Sequence, residues 1–351
     1  MDAPPIRLAL LGMNSGFFPE NFVLWTRLAQ EYPWLSPPFP KARVVAAATL
    51  GCPEQEIVDN AGQTSADFAQ KFGLKLYVAA EDLLDKEKPD GVFICGRPSA
   101  LPSVALLAIR RGIHVYLQKP AGVNAAELAA LAAEARQRGV AAAAGQTWRH
   151  DAAVMVSRGQ LRSADIGKLC SLRVMYNHGM PGGKRRTFYV DAAEGGVELW
   201  LGWYPIDLLH YFTGSSITRL FATAHPGGAS PDWPHTVLHA ACEFANGVKG
   251  SFDFYGNINY PYSRAEWELL GEHGLIRSVQ RHDVEVYRQG HPQQALFRNQ
   301  FTDLVAQDIN VWLHSWRSGQ TSGLTLEGAV EVLRVAAAIR ESFTTGKAVT
   351  L

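Results

Sequence analysis

The stretch that decides the fold is "IRLALLGMNSGFF", Ile6 to Phe18, in which an apolar run meets a glycine and then turns toward a helical segment. A strand, a glycine turn and a helix begin a dinucleotide-binding domain, because glycines let the backbone approach a pyrophosphate closely. The usual G-x-G-x-x-G spacing would place glycines at Asn14 and Phe17 as well as at Gly12, and only Gly12 fits. The stretch therefore predicts a dinucleotide turn of unusual composition.

Apolar strands alternate with helical segments from the N-terminus to about Gly145. Strand-like runs such as "DGVFICG" and "IHVYLQKP" are separated by amphipathic helices such as "NAAELAALAAEARQRG". Strands that are apolar on both faces, in strict alternation with helices, predict a parallel sheet covered by helices on each side. Ligands on such sheets bind beyond the carboxyl ends of the strands, so the residues that follow each strand are candidate site residues.

The sequence pattern changes after Gly145, from alternating strands and helices to consecutive strands. "TVLHAACEF" and "VKGSFDFYG" are strand-like and are joined by Asn246-Gly247, a strong hairpin signal, and "AEWELLGEHGLIRSV" predicts a second hairpin that turns at Gly271 to Gly274. The chain ends in a predicted helix. Its apolar stripe is expected to run through Val330, Leu333, Ala337 and Phe343.

The predicted fold class is therefore α/β. Residues 1–145 form a dinucleotide-binding Rossmann domain with a parallel sheet. Residues 146–351 form an α+β domain for substrate binding and oligomerisation, with a large, mostly antiparallel open sheet. The C-terminal helix, residues 326–345, is expected to pack back on the first domain.

Composition excludes several classes of function. Lys plus Arg and Asp plus Glu number 33 each, so the chain has no long-range field to attract nucleic acid or an anionic membrane. The four cysteines lack C-x-x-C spacing, which indicates reduced thiols in a cytoplasmic protein. No signal peptide or membrane span is predicted. No metal site is predicted either, because His235 and His239 share a face but have no carboxylate or cysteine at ligand spacing.

Several short motifs, in matching order and spacing, carry a resemblance over essentially the full length. They are "IHVYLQKP" at the fifth strand, "EGGVELWLGWYPIDLLHYFTG" and the terminal "TTGKAVTL". Together with the antiparallel second domain, they resemble the glucose-fructose oxidoreductase, inositol dehydrogenase and rhizopine-catabolism (Gfo/Idh/MocA) family. The resemblance implies an NAD- or NADP-linked oxidoreductase of a sugar, cyclitol or related polyol. It also implies a homodimer or homotetramer assembled through the second domain's sheet.

Lys119 stands directly before Pro120, which holds the preceding residue in an extended conformation at the end of the fifth strand. An ammonium at the mouth of a dinucleotide cleft would stabilise a developing alkoxide on a substrate. In the family this motif usually reads Glu-Lys-Pro and its lysine is catalytic, whereas here the first position is Gln118. The alternative is a surface lysine at a strand end, and the position after the fifth strand favours the catalytic interpretation.

Tyr204 and Asp207 are the other candidate catalytic residues. Pro205 suits the first turn of a helix, and a spacing of three places Tyr204 and Asp207 on one helical face. The family pattern has aspartate where Trp200 stands, histidine at Tyr204 and aspartate at Asp207. A phenol, whose pKa is ordinarily about 10, can replace histidine in proton transfer if a nearby ammonium lowers that pKa. Asp207 could equally serve as a helix N-terminal carboxylate.

Further candidates follow from the same reasoning. An indole at Trp200 could stack on a sugar face or fill space, and a buried aromatic cluster is the favoured interpretation for Trp200 and Trp203. The expected substrate contacts are Trp148, Arg149, His178, Trp200 and Trp203. The expected cofactor contacts are Gly12, Asn14, Ser15, Gly16, Phe17, Thr49, Gly96, Arg97, Pro98, Ser99, Gln118 and Thr147.

The choice between NAD and NADP stays open in the sequence. Thr49 stands where an acidic residue would bind the ribose of NAD, and no arginine follows at once to favour the phosphate of NADP.

Three functional hypotheses result. The first is an NAD(P)-dependent dehydrogenase or reductase in which Lys119 and Tyr204 handle the proton. The second is a lyase- or hydrolase-like relative with a retained NAD. The third is a non-catalytic protein that senses a sugar or nucleotide and signals through its dimer surface. The degraded glycine turn and Trp200 favour the last two, and the retained Lys119, Tyr204 and Asp207 favour the first.

Overall fold

The computed structural model describes residues 4–15, 18–32, 35, 37–163, 166–178, 191–225, 237–256, 264–279, 281, 283–291, 294–298 and 304–351. Gly16, Phe17 and His235 lie outside these ranges. By its internal contacts, the chain divides into two compact units. The first contains the described residues up to Thr147 together with 304–330, and the second contains the described residues from Trp148 to 298 together with 331–351.

The first unit is built on a seven-stranded sheet. Its strands are β1 (Ile6–Leu11), β2 (Ala42–Ala48), β3 (Lys75–Tyr77), β4 (Gly91–Ile94), β5 (His114–Leu117), β6 (Ala142–Ala144) and β15 (Leu324–Thr325). The order is β15-β6-β5-β4-β1-β2-β3, and all neighbours are parallel except β15 and β6. The Rossmann-type parallel sheet is thereby confirmed.

Helices connect these strands as the alternation predicts. They are α1 (Phe18–Leu28), α2 (Glu54–Ala61), α3 (Ser65–Phe72), α4 (Ala80–Glu87), α5 (Leu101–Ile109) and α6 (Ala125–Gln137), joined by α10 (Leu304–Ser318) from late in the chain. Local chemistry sets their starts: the Asn124 side chain, for example, accepts hydrogen bonds from the first free N–H groups of α6. In the core, Trp312 of α10 packs 5.3 Å from Phe93 and 5.5 Å from Tyr116, measured between ring centroids. Helix α10 thus covers the sheet from a segment far away in sequence.

The second unit is built on a nine-stranded sheet. Its strands are β7 (Leu169–His178), β8 (Ile217–His225), β9 (Val237–Phe244), β10 (Lys249–Gly256), β11 (Arg264–Gly271), β12 (Gly274–Val279), β13 (Asp283–Arg288), β14 (Gln294–Arg298) and β16 (Val349–Thr350). The order is β14-β13-β12-β11-β7-β10-β9-β8-β16, antiparallel throughout except between β7 and β10. Both predicted hairpins, β9–β10 and β11–β12, are confirmed.

Four helices accompany this sheet: α7 (Ala152–Arg162), α8 (Gly196–Trp200), α9 (Trp203–Thr213) and α11 (Leu326–Thr345), whose first turn belongs to the first unit's part of the chain. Helix α9 packs on β7 and α7 packs on β12, covering an apolar face that includes Val174, Phe252 and Trp267. No helix in the described ranges is both long enough and apolar enough to cross a bilayer.

The predicted stripe of the terminal helix is partly wrong. Ala337 is exposed, and Val330 and Phe343 are half-buried. The buried residues follow a rotated and wider face: Ala329, Val332, Leu333, Val335, Ala336, Ala338, Ile339 and Ser342. Alanine contributes little to a hydrophobic pattern, so an alanine-rich helix does not reveal its buried face by spacing alone.

Gly12 allows β1 to turn against the end of β4. Its φ is +94°, and a Cβ atom there would lie 1.7 Å from the carbonyl oxygen of Cys95. Substitution Gly12→Ala must therefore displace backbone. Gly139 also has a positive φ, +65°, but a Cβ there meets nothing within 4 Å, so Gly139→Ala carries only the conformational cost of about 1–2 kcal/mol.

We expect Gly12→Ala to lower the free energy of unfolding by clearly more than Gly139→Ala does, because only the former adds a clash to the strain. Urea denaturation of the two variants measures the difference. Equal losses would contradict the close approach of Gly12 to Cys95.

Candidate active site

The carboxyl ends of β1, β4 and β5 lie side by side in the first unit. Leu11 pairs with Ile94 and Ile94 with Leu117, so the residues that follow these strands share one edge of the sheet. Most expected cofactor contacts stand there: Gly12, Asn14 and Ser15 after β1, Gly96 and Arg97 after β4 with Pro98 and Ser99 in the short 3-10 turn that follows, and Gln118 after β5. Thr49 follows β2 and Thr147 begins the turn after β6.

The side chain of Gln118 connects the residues that follow β1 and β4. This side chain is fully buried; Oε1 accepts a hydrogen bond from the Ser15 hydroxyl, and Nε2 donates to the carbonyl oxygen of Gly96 at 2.7 Å. A carboxylate could accept from Ser15, but it would face the Gly96 carbonyl without a proton to donate. An amide suits both partners at once, and this is a physical reason for glutamine at a position where the family that the sequence resembles usually has glutamate.

Lys119 is buried next to that amide, with 5% of its surface exposed, and its peptide bond to Pro120 is cis. Burial disfavours the ammonium form and lowers the pKa of Lys119 from its usual value of 10.5 to about 7. Its neighbour in sequence, Gln118, contributes no negative charge that would oppose this shift. Lys119 is therefore able to take up or release a proton near neutral pH.

Glu56, in the first turn of α2, is a residue that the sequence reasoning missed. Its Oε1 accepts hydrogen bonds from Asn14 Nδ2 at 2.9 Å and from Arg97 Nη2 at 3.0 Å. Cys52 lies in the same cluster, where burial, followed by the charge of Glu56, raises its thiol pKa to about 11. The one available signal was the short distance in sequence between Thr49, at the end of β2, and the acidic first turn of α2.

Gln146 is a second residue that sequence reasoning missed, although it lies two residues after β6, from which Gly145 separates it, and directly precedes Thr147. Gln146 is fully buried, and its backbone N–H donates to Asp308 Oδ2 at 3.3 Å. Its side-chain Nε2 and Oε1 have no hydrogen-bond partner within the described ranges. A buried amide that lacks partners is costly, so this position suits a bound polar group. With the close turn at Gly12, the edge fits a dinucleotide.

Aromatic rings surround Tyr204 in the second unit. Its ring stacks on Trp148 with centroids 4.5 Å apart and an interplanar angle of 15°, and Tyr176 of β7 meets both rings edge-on. His178, at the end of β7, lies 5.6 Å from Tyr176. The guanidinium of Arg281 lies 4.7 Å from the centroid of Trp148. The structure thus brings three predicted site residues, Trp148, His178 and Tyr204, into one cluster.

Asp207 forms a two-point ion pair with Arg149. Its oxygens accept from Arg149 Nε at 2.9 Å and from Nη2 at 2.6 Å, and only 1% of its side chain is exposed. The same guanidinium lies 4.9 Å from the ring centroid of Tyr211. Since both carboxylate oxygens hold the arginine, the arrangement suits a group that positions α9 and its Tyr204.

Trp200 and Trp203 lie in the core of the second unit. Their exposed fractions are 2% and 0%, and Trp200 Nε1 donates to the carbonyl oxygen of Glu194 at 3.0 Å. Between them, Gly202 is required because a Cβ atom there would lie 2.0 Å from the carbonyl oxygen of Glu198. Neither indole presents a face to solvent.

Comparison with known proteins agrees with this geometry. The family model described as "Oxidoreductase family, NAD-binding Rossmann fold" matches residues 44–146, and "GFO/IDH/MocA C-terminal domain" matches residues 155–277. Among curated proteins, inositol 2-dehydrogenase 2 of Saccharopolyspora erythraea is 26% identical over 315 residues, which cover 87% of this chain and 89% of the relative.

Solved structures share the fold over nearly the whole chain. Levoglucosan dehydrogenase, in complex with NADH and levoglucosan, aligns with a TM-score of 0.83 at 16% identity and 99% coverage of both chains. An oxidoreductase from Agrobacterium radiobacter, in complex with NAD+, L-tartaric acid and magnesium, aligns with a TM-score of 0.82 at 16% identity. That alignment covers 99% of this chain and 98% of the other.

The buried amine of Lys119 predicts a pH-dependent stability. Its folded pKa lies below its unfolded pKa of about 10.4, so between those values the unfolded state binds more protons and stability rises with pH. We therefore expect Lys119→Met to raise the unfolding midpoint most at about pH 6, with the gain shrinking toward about pH 10.

Thermal unfolding across this pH range measures the effect. The exposed Lys71, paired with Glu20, provides the control, and Lys71→Met should show no such trend. A gain for Lys119→Met that does not change with pH would contradict the lowered pKa.

The ion pair of Asp207 predicts a large loss of stability. Asp207→Asn removes the charge that Asp207 places against the largely buried guanidinium of Arg149, and breaking a buried ion pair in this way costs about 3–5 kcal/mol. The matched control is Glu268→Gln in the exposed pair with Arg277, where the expected change is within about 1 kcal/mol. Urea denaturation measures both variants, and similar losses would show that the Asp207 pair is not a structural tie.

Proposed function

The chain belongs to the GFO/IDH/MocA family of oxidoreductases, with an NAD-binding Rossmann domain, and from that premise we propose its reaction. It transfers a hydride between a nicotinamide dinucleotide and a CH–OH group of a sugar, cyclitol or related polyol. The names of its relatives, inositol 2-dehydrogenase and levoglucosan dehydrogenase, support this substrate class. Because a fold alone does not fix function, the observation that carries the proposal is the buried amine of Lys119.

The residues that would hold the dinucleotide stand at the carboxyl edge of the first unit's sheet. Gly12 lets the turn after β1 pack directly against Cys95, and Gln146 offers a buried amide for a polar group. When bound, the nicotinamide supplies a hydride acceptor or donor.

Lys119 handles the proton of the reaction. In the oxidative direction its neutral amine accepts the proton of the substrate hydroxyl, while the hydride leaves the carbon that bears this hydroxyl. In the reductive direction its ammonium returns that proton to the new hydroxyl. A pKa of about 7 keeps both forms available near neutral pH, which is the requirement for an acid–base group that works in either direction.

Tyr204 is the second proton-handling group in this proposal. Its ring is fixed by the stack on Trp148, and its helix is tied down by the ion pair between Asp207 and Arg149. His178, in the same aromatic cluster, is proposed to contact a substrate hydroxyl. Trp200 and Trp203 support this arrangement from the core, so we assign them a packing role.

We also propose that copies of the chain assemble into a homodimer or homotetramer through the nine-stranded sheet. The face turned away from α7 and α9 carries Asp253, which bonds Arg173 and His239 at 2.7 Å each. Phe221, on β8, which pairs with the strand β9 that carries His239, is 43% exposed. A mixed polar and apolar face of this kind suits a protein interface.

Titration with NAD(H) and NADP(H), monitored by tryptophan fluorescence, first tests whether the protein binds a dinucleotide. Activity assays with myo-inositol and levoglucosan then test the proposed substrate class. Lys119→Met and Tyr204→Phe should each lower turnover at least about 100-fold while sparing dinucleotide binding. Lys71→Met should leave turnover unchanged. In the oxidative direction, kcat/KM should rise with pH to a plateau above about 7, and Gln118→Glu should move that rise to higher pH because a carboxylate stabilises the neighbouring ammonium.

Each contrary outcome favours a different function. No saturable binding, with no nucleotide released on denaturation, would contradict the dehydrogenase. Redox-neutral turnover with a retained NAD would indicate the lyase- or hydrolase-like alternative. Saturable binding without turnover of any polyol would indicate a sensor.

A further inference from the structure

A polar cluster spans the carboxyl edge of the first unit's sheet. Glu56 Oε1 receives hydrogen bonds from Asn14, in the turn after β1, and from Arg97, which follows β4. Thr49, the residue that follows β2, is 8% exposed and carries no charge. The negative charge near this end of β2 thus comes from the next helix, where Glu56 reaches back over the edge.

The first turn of α2 contains two glutamates, and their hydrogen-bond partners distinguish Glu56 from an ordinary carboxylate at a helix N-terminus. Glu54, in the same turn, bonds the backbone N–H and the hydroxyl of Ser65, and so joins α2 to α3. Glu56 bonds side chains that belong to the dinucleotide edge instead. A helix-dipole role needs only a carboxylate in the first turn, and Glu54 already provides one.

Exposure separates this cluster from a structural ion pair. The side chains of Arg97 and Glu56 are 40% and 25% exposed, so a ligand can reach both. An ion pair with this exposure contributes at most about 1 kcal/mol to stability. Exchanging one of its hydrogen bonds for a ligand hydroxyl is therefore inexpensive.

Coenzyme selection in Rossmann domains depends on charge at this place. A carboxylate beyond β2 accepts hydrogen bonds from the ribose of NAD, whereas an arginine accommodates the 2′-phosphate of NADP. Here both types of side chain are present, and the carboxylate holds the arginine. Asn14, which stands where the motif has a glycine, orients that carboxylate through its amide.

We propose that Glu56 makes the chain selective for NAD(H) over NADP(H). Its carboxylate accepts from the adenosine ribose hydroxyls, repels a 2′-phosphate and keeps Arg97 from pairing with one. This inference rests on the proposed dinucleotide function and names the residue that chooses between its two coenzymes. It also assigns a purpose to Asn14 in the degraded glycine motif.

The test measures binding alone. Dissociation constants of NAD+, NADP+ and the fragment adenosine 2′,5′-bisphosphate are obtained by fluorescence titration and calorimetry. Wild-type protein should prefer NAD+. Glu56→Gln keeps the shape and an acceptor oxygen but removes the charge, and it should lower the preference for NAD+ over NADP+ at least about tenfold.

Three variants serve as controls. Asp59→Asn removes a carboxylate from the same helix and should leave the preference unchanged. Glu56→Asp keeps the charge and should retain most of the preference. Adding Arg97→Gln to Glu56→Gln should abolish the gain in affinity for NADP+ and for the bisphosphate, because the guanidinium of Arg97 is the group proposed to bind the phosphate. Thermal unfolding confirms that each variant is folded.

The outcomes separate the inference from the function on which it rests. If wild-type protein binds neither dinucleotide, the proposed function fails and the inference fails with it. If the protein binds dinucleotides but prefers NADP+, or if Glu56→Gln changes the preference no more than Asp59→Asn does, the assignment of Glu56 is overturned and the proposed function stands.

Discussion

The amide of Gln118 is the contact on which the first unit's site depends. Three strand ends meet at this edge, and each presents backbone or hydroxyl groups that need partners away from water. One fully buried side chain serves two of them, accepting from Ser15 after β1 and donating to Gly96 after β4, while its own backbone continues β5. The turn that follows β1 is thereby held without the second and third glycines of the usual motif.

This contact also sets the electrostatics of Lys119. An amide satisfies Ser15 and Gly96 without charge, so the lysine that follows it is buried beside a neutral group. Desolvation then lowers the amine's pKa, whereas a carboxylate in the position of Gln118 would stabilise the ammonium. The exchange of glutamate for glutamine is therefore coherent with catalysis by an amine that titrates near neutral pH.

Much of the fold was predictable because its signals are local. Alternating strands and helices indicate the parallel sheet, and the Asn246-Gly247 turn indicates a hairpin without reference to the rest of the chain. The return of α10 to the first unit was not predictable, since its contacts with Phe93 and Tyr116 join segments about 200 residues apart in sequence. The buried face of the terminal helix was predicted only in part, because its alanines do not mark that face in the sequence.

The site was predictable only in part, for a similar reason. Lys119 and Tyr204 stand in motifs whose neighbours in sequence restrict them, so position alone identifies them as candidates. Glu56 and Gln146 gain their significance from what they face: two polar side chains from other loops in one case, and an amide without partners in the described ranges in the other. No spacing rule contains that information.

The departures from the family pattern in the first unit form one redistribution of charge. Carboxylate is lost beside the lysine, at Gln118, and at the end of β2, at Thr49, and it is regained on α2, at Glu56. That position pairs it with Arg97, at the carboxyl edge of the sheet. The lysine can then titrate near neutrality while the edge retains the negative group that we propose binds the ribose. A glycine motif that looks degraded in the sequence is, in three dimensions, a turn whose asparagine and serine each hold a polar partner.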